Sequence, residues 1–284
     1  PPSQGGAPRR ARDRGRSPPR GPSGAAMTTT SVTVAGERHP AAAWWVGSLV
    51  VLGALAVWEV AVGIAGTPVY LLPAPSDVAA VLGSDGAGLA PAAVTTLLRA
   101  VAGLAVGAAL GIGLAVIITF RGHLEQGVMS LALLIKSTPV IAVAPILTIW
   151  MGFGHGPKVI VTALLTFFPV LINALEGFRS VDPGIAEWLR SIDASPGEVF
   201  VRARWPSSWP FLFAALKVAA PLALIGAVVA EWMGASSGLG RQMWLAYTNL
   251  RMPSLFAAVA VLTVLSLLLY RAVVGVERKV LDWR

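Results

Sequence analysis

The sequence contains no cysteine, which excludes disulfides and thiolate metal sites. Only 13% of its 284 residues are charged, where a soluble domain carries roughly 25%. Histidine is scarce: His39, His123 and His155 lie far apart and form no ligand-spaced set, so no histidine metal site is expected. Paired carboxylates within one apolar run are missing, as is a Ser, His and Asp arrangement, which disfavours a membrane-embedded enzyme. The segment "GFGHGPK" (152–158) lacks the Gly-Lys-Ser/Thr ending of a phosphate loop and is expected to be a turn.

What the chain has instead is apolar length. Hydrophobic residues make up 55% of it and mean hydropathy is +0.71. Six continuous runs fall at about 43–66, 94–120, 128–153, 158–175, 211–233 and 254–274. Each is near the roughly 20 residues that cross a hydrocarbon core. Lipid offers the backbone no partners, so these runs must be helices, and they lack the alternation of barrel strands. The fold class expected is an all-α membrane protein with six transmembrane helices.

Lysine and arginine orient the spans. With both termini inside, sixteen basic residues fall in inner segments, including Arg121, Arg179, Arg190, Arg202 and Arg204, and only Lys158, Arg241 and Arg251 fall outside. This bias predicts an N-in, C-in topology. Residues 67–93 form the first outer segment, where Ser76 is expected to cap a short helix lying on the membrane surface.

The net charge of +8 invites a nucleic-acid reading, but five of those charges belong to residues 1–26. The rest of that stretch is mostly Pro, Gly and Ser, with a few Ala, and cannot bury a core. Residues 1–42 are therefore expected to be a disordered basic tail, and 43–284 the transmembrane domain. Met27 would make a natural start, so residues 1–26 are expected to be an upstream extension or the product of a mis-called start. N-terminal sequencing of the native protein checks this.

Within the membrane, Gly103, Gly107 and Gly111 share one helix face and allow close packing, whereas Gly113 does not join them. Pro139, Pro145, Pro169 and Pro221 each remove a backbone hydrogen bond and should bend their helices. Polar residues near those bends are candidates for a translocation pathway: Lys136, Ser137, Thr138, Thr148, Asn173, Lys217 and Glu231. Lys136 and Lys217 can snorkel part of the way to the inner surface, and Glu231 and Arg99 sit near outer ends from which they can reach water. No inverted repeat of discontinuous helices, a mark of secondary transporters, is evident.

The most polar part of the second half is "DPGIAEWLRSIDASPGEVF" (182–200). Asp182 can cap a helix that has Pro183 at its first position. Ile185, Trp188, Leu189 and Ile192 then follow i, i+3, i+4, i+7 spacing and form one apolar stripe. The helix should end near Asp193. Ser195-Pro196-Gly197-Glu198 reads as a capping box opening a second helix, which "WPSSWP" (205–210) should stop. So short a helix is not stable alone in water. Its stripe must dock, on the chain's own neighbours or in a groove on a partner, and the residues leave both open.

Six spans with a capped inner helix before the fifth resemble the permease subunit of an ATP-binding-cassette importer. That family's signature is Glu-Ala-Ala, three residues, Gly, nine residues, then Ile-x-Leu-Pro. Its frame here falls on Glu187-Trp188-Leu189, Asp193, Ala203 and Trp205-Pro206. Glu187 and Pro206 match; Trp188, Leu189 and Asp193 replace the alanines and glycine, which puts the docking assignment at issue there. "LLPAPSDV" (71–78), "KSTPVIAVAPILTIWMGFG" (136–154), "FFPVLINALEGFRSVDP" (167–183) and "AEWMGASSGLG" (230–240) resemble the nitrate/sulfonate/taurine branch, which also holds pyrimidine and riboflavin carriers.

The resemblance implies a coupling region at 182–206, with Asp182, Ile185, Glu187, Trp188, Leu189, Ile192, Asp193 and Pro206 serving cytoplasmic ATPase subunits. It further implies a second permease copy, a homodimer, and an extracytoplasmic binding protein. ATP and Mg would be held by the ATPase, with no cofactor in this chain. The cargo implied is nitrate-, sulfonate- or taurine-like, or pyrimidine- or vitamin-like, with 230–240 leaning to the latter. An ion-coupled secondary transporter is the alternative.

Overall fold

The computed structural model describes residues 40–282, with side chains described from Trp45 onward. The expected basic tail therefore lies outside the described residues as far as residue 39. Ten α-helices and no strand occur among the described residues: α1 (Pro40–Ala65), α2 (Pro75–Phe120), α3 (Glu125–Ser137), α4 (Val140–Met151), α5 (His155–Arg179), α6 (Pro183–Ser191), α7 (Pro196–Val199), α8 (Trp205–Trp232), α9 (Leu239–Thr248) and α10 (Met252–Val280). Four helical runs that cross a bilayer by length and composition are α2, α5, α10 and the α7–α8 run; α1 is a fifth. The α3–α4 pair, bent by 90°, supplies a sixth.

From Val50 on, the chain forms one packed unit. Its core is the sandwich of α2, α5 and α8. The glycine stripe explains the closeness of α2 and α5. A Cβ on Gly103 or Gly107 would collide with Thr162 or Thr166, and one on Gly111 would come within 2.9 Å of the Phe167 carbonyl and the Leu171 nitrogen. Gly113 meets nothing within 4 Å, as its place off the stripe predicts. Small residues continue the pattern on α8, where Ala215, Ala219, Ala220, Ala223 and Ala227 are fully buried.

Several expectations are corrected. Residues 75–93 are no separate surface helix: α2 runs 46 residues without a break, about 69 Å at 1.5 Å per residue, more than twice a hydrocarbon core of about 30 Å. Pro91 does not end it, because the carbonyl that Pro91 leaves without a donor belongs to Ala87, which is exposed to water. Its N-cap is Ala74 rather than Ser76, and Asp77 accepts the Ala74 N–H at 3.0 Å. Ser76 instead donates its N–H and hydroxyl to Glu59 of α1, at 3.0 and 2.7 Å. Glu59, the one acid in the first apolar run, thus neutralises the start of α2.

The third span is discontinuous at Pro139, where a bend is expected, and the bend there is a full break of 90°. Thr138 precedes a proline and is held extended (φ −72°, ψ 128°), so α3 stops at Ser137 and α4 restarts after Pro139. "WPSSWP" does not stop the second inner helix either. A π turn at Phe200–Arg204 leads directly into α8, which carries Pro206 and Pro210. The turn holds Arg202, whose carbonyl a proline ring at 206 would meet in a regular helix, so the wider register takes up the conflict. The turn expected at 152–158 shrinks to 152–154, with Gly152 at φ 80°.

Candidate functional site

One end of the α2–α5–α8 core carries α6. The Asp182 side chain accepts the Gly184 N–H at 2.7 Å, with Pro183 at the first position, as the sequence predicts. At the other end Asp193 takes φ 52°. The Asp193 N–H donates to the Arg190 carbonyl and the Ala194 N–H to the Leu189 carbonyl, both at 3.1 Å. This is a Schellman closure with aspartate where glycine is the unstrained choice. Ser195 and Glu198 then form the expected capping box, with Ser195 N–H to Glu198 Oε2 at 2.8 Å.

The apolar stripe of α6 is divided. Leu189 is 5% exposed and roots the helix in its own chain, whereas Ile185, Trp188 and Ile192 are 52%, 61% and 54% exposed. Glu187 is also exposed. Packing of Trp188 onto the chain's own loops is therefore not what the structure shows.

At the opposite end lies a buried polar cluster that sequence reasoning missed. Arg99 of α2 donates from Nη1 to Glu231 Oε1 at 2.7 Å, and the two side chains are 3% and 0% exposed. Thr96 Oγ1 lies 2.9 Å from the same carboxylate and accepts the Leu239 N–H at 2.8 Å. The Gly240 N–H donates to Glu231 Oε2 at 2.8 Å. Glu231 thus sits at the N-terminus of α9, where backbone donors and the helix dipole favour an anion.

Arg99 also holds the chain between α8 and α9, donating to the Ser237 carbonyl at 2.7 Å and its hydroxyl at 3.1 Å. Its Nε donates to His155 Nδ1 at 3.2 Å. Lys158, fully buried, donates to the carbonyls of Phe153 and Gly234 at 3.0 and 3.1 Å. Gly238 adopts φ 110°, and a Cβ there would strike the Glu231 carboxylate. The expectation that Glu231 and Arg99 reach water is thereby overturned, and Lys158, expected in an outer segment, is buried within the first turns of α5. The signal was present: Arg99, Lys158 and Glu231 stand at the same end of the second, fourth and fifth spans and differ in sign.

The remaining candidates are scattered. Lys136, Ser137 and Thr138 are exposed at the α3–α4 break, with Lys136 Nζ 4.4 Å from the centre of the Phe168 ring. Thr148 is buried and its hydroxyl donates to the Ala144 carbonyl at 2.9 Å. The Asn173 amide donates to the Pro169 carbonyl at 2.8 Å. Lys217, expected to snorkel, pairs with Glu277 of α10 at 2.9 Å. These residues do not converge on one site within the chain.

Residues 107–282 match the family described as binding-protein-dependent transport system inner membrane component. The chain belongs to that family. It is the permease subunit of an ABC importer, a multi-pass protein of the plasma membrane. The permease is similar to the formylaminopyrimidine transport permease protein ThiX of Halalkalibacterium halodurans, with 34% identity over 81% of this chain and 92% of the relative. It is also similar to the riboflavin transport system permease protein RibX of Chloroflexus aurantiacus, with 30% identity over 81% and 86%. Both the α6 segment and the Arg99–Glu231 cluster, apart from its α2 residues Thr96 and Arg99, lie inside the family match.

Proposed function

We propose that α6 is the element through which this permease engages a cytoplasmic ATPase subunit, in an N-in, C-in topology. The observation that carries this is the divided stripe: a helix of nine residues, capped at both ends and rooted by Leu189, presents Ile185, Trp188 and Ile192 to solvent. Three large apolar side chains on one short exposed helix are an anchor set for a groove. Asp182 and Asp193 fix the ends of that helix, Glu187 adds charge on it, and Pro206 lies where the π turn feeds into α8.

Two copies of the permease form the pathway in this reading, with Lys136, Ser137 and Thr138 at the α3–α4 break among the groups that face it. ATP and Mg belong to the ATPase. A binding protein delivers the cargo from outside. The names of ThiX and RibX favour a planar, nitrogen-bearing heterocycle of the pyrimidine or vitamin kind.

Purification from native membranes tests this. An ATPase and a binding protein should co-purify, uptake into vesicles should require internal ATP, and the binding protein should hold such a heterocycle. Uptake driven by an ion gradient with this chain alone would establish a secondary transporter instead. A sulfonate or nitrate in the binding protein would overturn the cargo.

A further inference from the structure

The segments that enter and leave α6 are pinned to each other. α5 ends just before α6, and its Phe178 is 1% exposed. The π turn follows α6 and α7, and its first residue is Phe200. The two ring centres are 5.1 Å apart. Phe200 also meets Phe120, the last residue of α2, at 5.1 Å, and Trp205, the first residue of α8, at 6.0 Å. One side chain thus touches the α6-side ends of all three core helices. Only α7 and its capped turn separate it from the end of α6.

The surroundings leave little slack. Gly177 packs so closely on α8 that a Cβ there would come within 2.9 Å of the Ser208 and Phe211 Cβ atoms. Arg179 pairs with Glu125 at the start of α3. Rings of Trp205, Trp209 and Phe213 continue the stack along α8. Close-packed interiors shift as blocks rather than deform smoothly. A π turn is a short irregularity of the kind that marks functional positions in helices.

We propose that Phe200 is a positioning residue for coupling: its ring passes a displacement of α6 to the ends of α2, α5 and α8. The inference rests on the docking role of α6. Hydrogen exchange on the permease–ATPase complex, nucleotide-free and with ATP and vanadate, tests it without knowledge of the cargo. In the native complex, amides of α6 and of the adjoining ends of α2, α5 and α8 should all change. In Phe200→Leu the α6 change should remain while the α5 and α8 changes fall about fivefold or more. Phe200→Tyr should restore them, and Phe213→Leu, at the far end of the stack, should leave them intact.

Phe120 is 47% exposed, so shortening it removes little buried surface. Phe120→Leu should silence the response at the end of α2 alone, a second reading that does not depend on how Phe200→Leu folds. Unaltered α5 and α8 responses in Phe200→Leu would overturn the proposal, as would their absence from a native complex whose α6 responds. A native complex whose α6 does not respond would overturn the docking role, and this inference with it.

Discussion

Arg99 and Glu231 stand 132 positions apart in the chain and meet at 2.7 Å, both shut off from solvent. Around them, donors from Thr96, Gly240 and Leu239 and acceptors on Ser237 close the network. α2, α8 and the start of α9 are joined there by charge-assisted bonds, and Lys158 brings in α5 beside them through the Gly234 carbonyl.

Removing one partner leaves the other buried and unpaired, which costs about 3–5 kcal/mol. Arg99→Met and Glu231→Met should each lower the unfolding temperature of the detergent-purified permease. Arg99→Met combined with Glu231→Met should be less damaging than the two losses added together. Strict additivity in thermal unfolding would show that the residues act independently.

The glycine stripe gives a sharper contrast. Gly107→Val forces a side chain against Thr166 and the Ala163 carbonyl and should cost about 1–3 kcal/mol or prevent folding. Gly113→Ala meets nothing and should be neutral or slightly stabilising. Equal unfolding temperatures for these two variants would contradict the packing of α2 on α5.

Asp193 occupies a left-handed position at φ 52°. Asp193→Gly removes that strain and should stabilise α6 by about 1 kcal/mol. Slower exchange of the α6 amides is the measurement; faster exchange would mean the Asp193 side chain supplies something the backbone geometry does not.

On α6 itself, Trp188→Asp should abolish co-purification of the ATPase while the unfolding temperature stays within error, because Trp188 is 61% exposed. Leu189→Ala should do the reverse in kind, destabilising by about 2–5 kcal/mol, since Leu189 is buried. If Trp188→Asp retains the ATPase, the exposed stripe is not the docking face.

Local features were legible in the sequence because they rest on neighbours in the chain. The caps at Asp182 and Ser195, the glycine stripe and the apolar runs all depend on short spacings, and the structure reproduces them. The misses share a different cause. Whether Pro91 or Pro206 breaks a helix depends on whether water or a π turn relieves the lost donor. Whether Glu231 reaches solvent depends on what Arg99 and α9 place over it. Depth within one span says how far a charge lies from water, whereas the partners that bury Glu231 and Arg99 come from other spans.

The length of α2 gives these contacts a mechanical meaning. At its α6-side end it touches Phe200, about two thirds of the way along the glycines lock it to α5, and at its start Glu59 holds Ser76. Gly107 lies 32 residues from Pro75, about 48 Å along an unbroken rod. Phe120 lies 13 residues on the other side of Gly107, about 20 Å away. α2 is thus an unbroken rod of unequal reaches on either side of the glycine stripe, and the longer reach is tied to α8 and to the approach to α9 through Arg99.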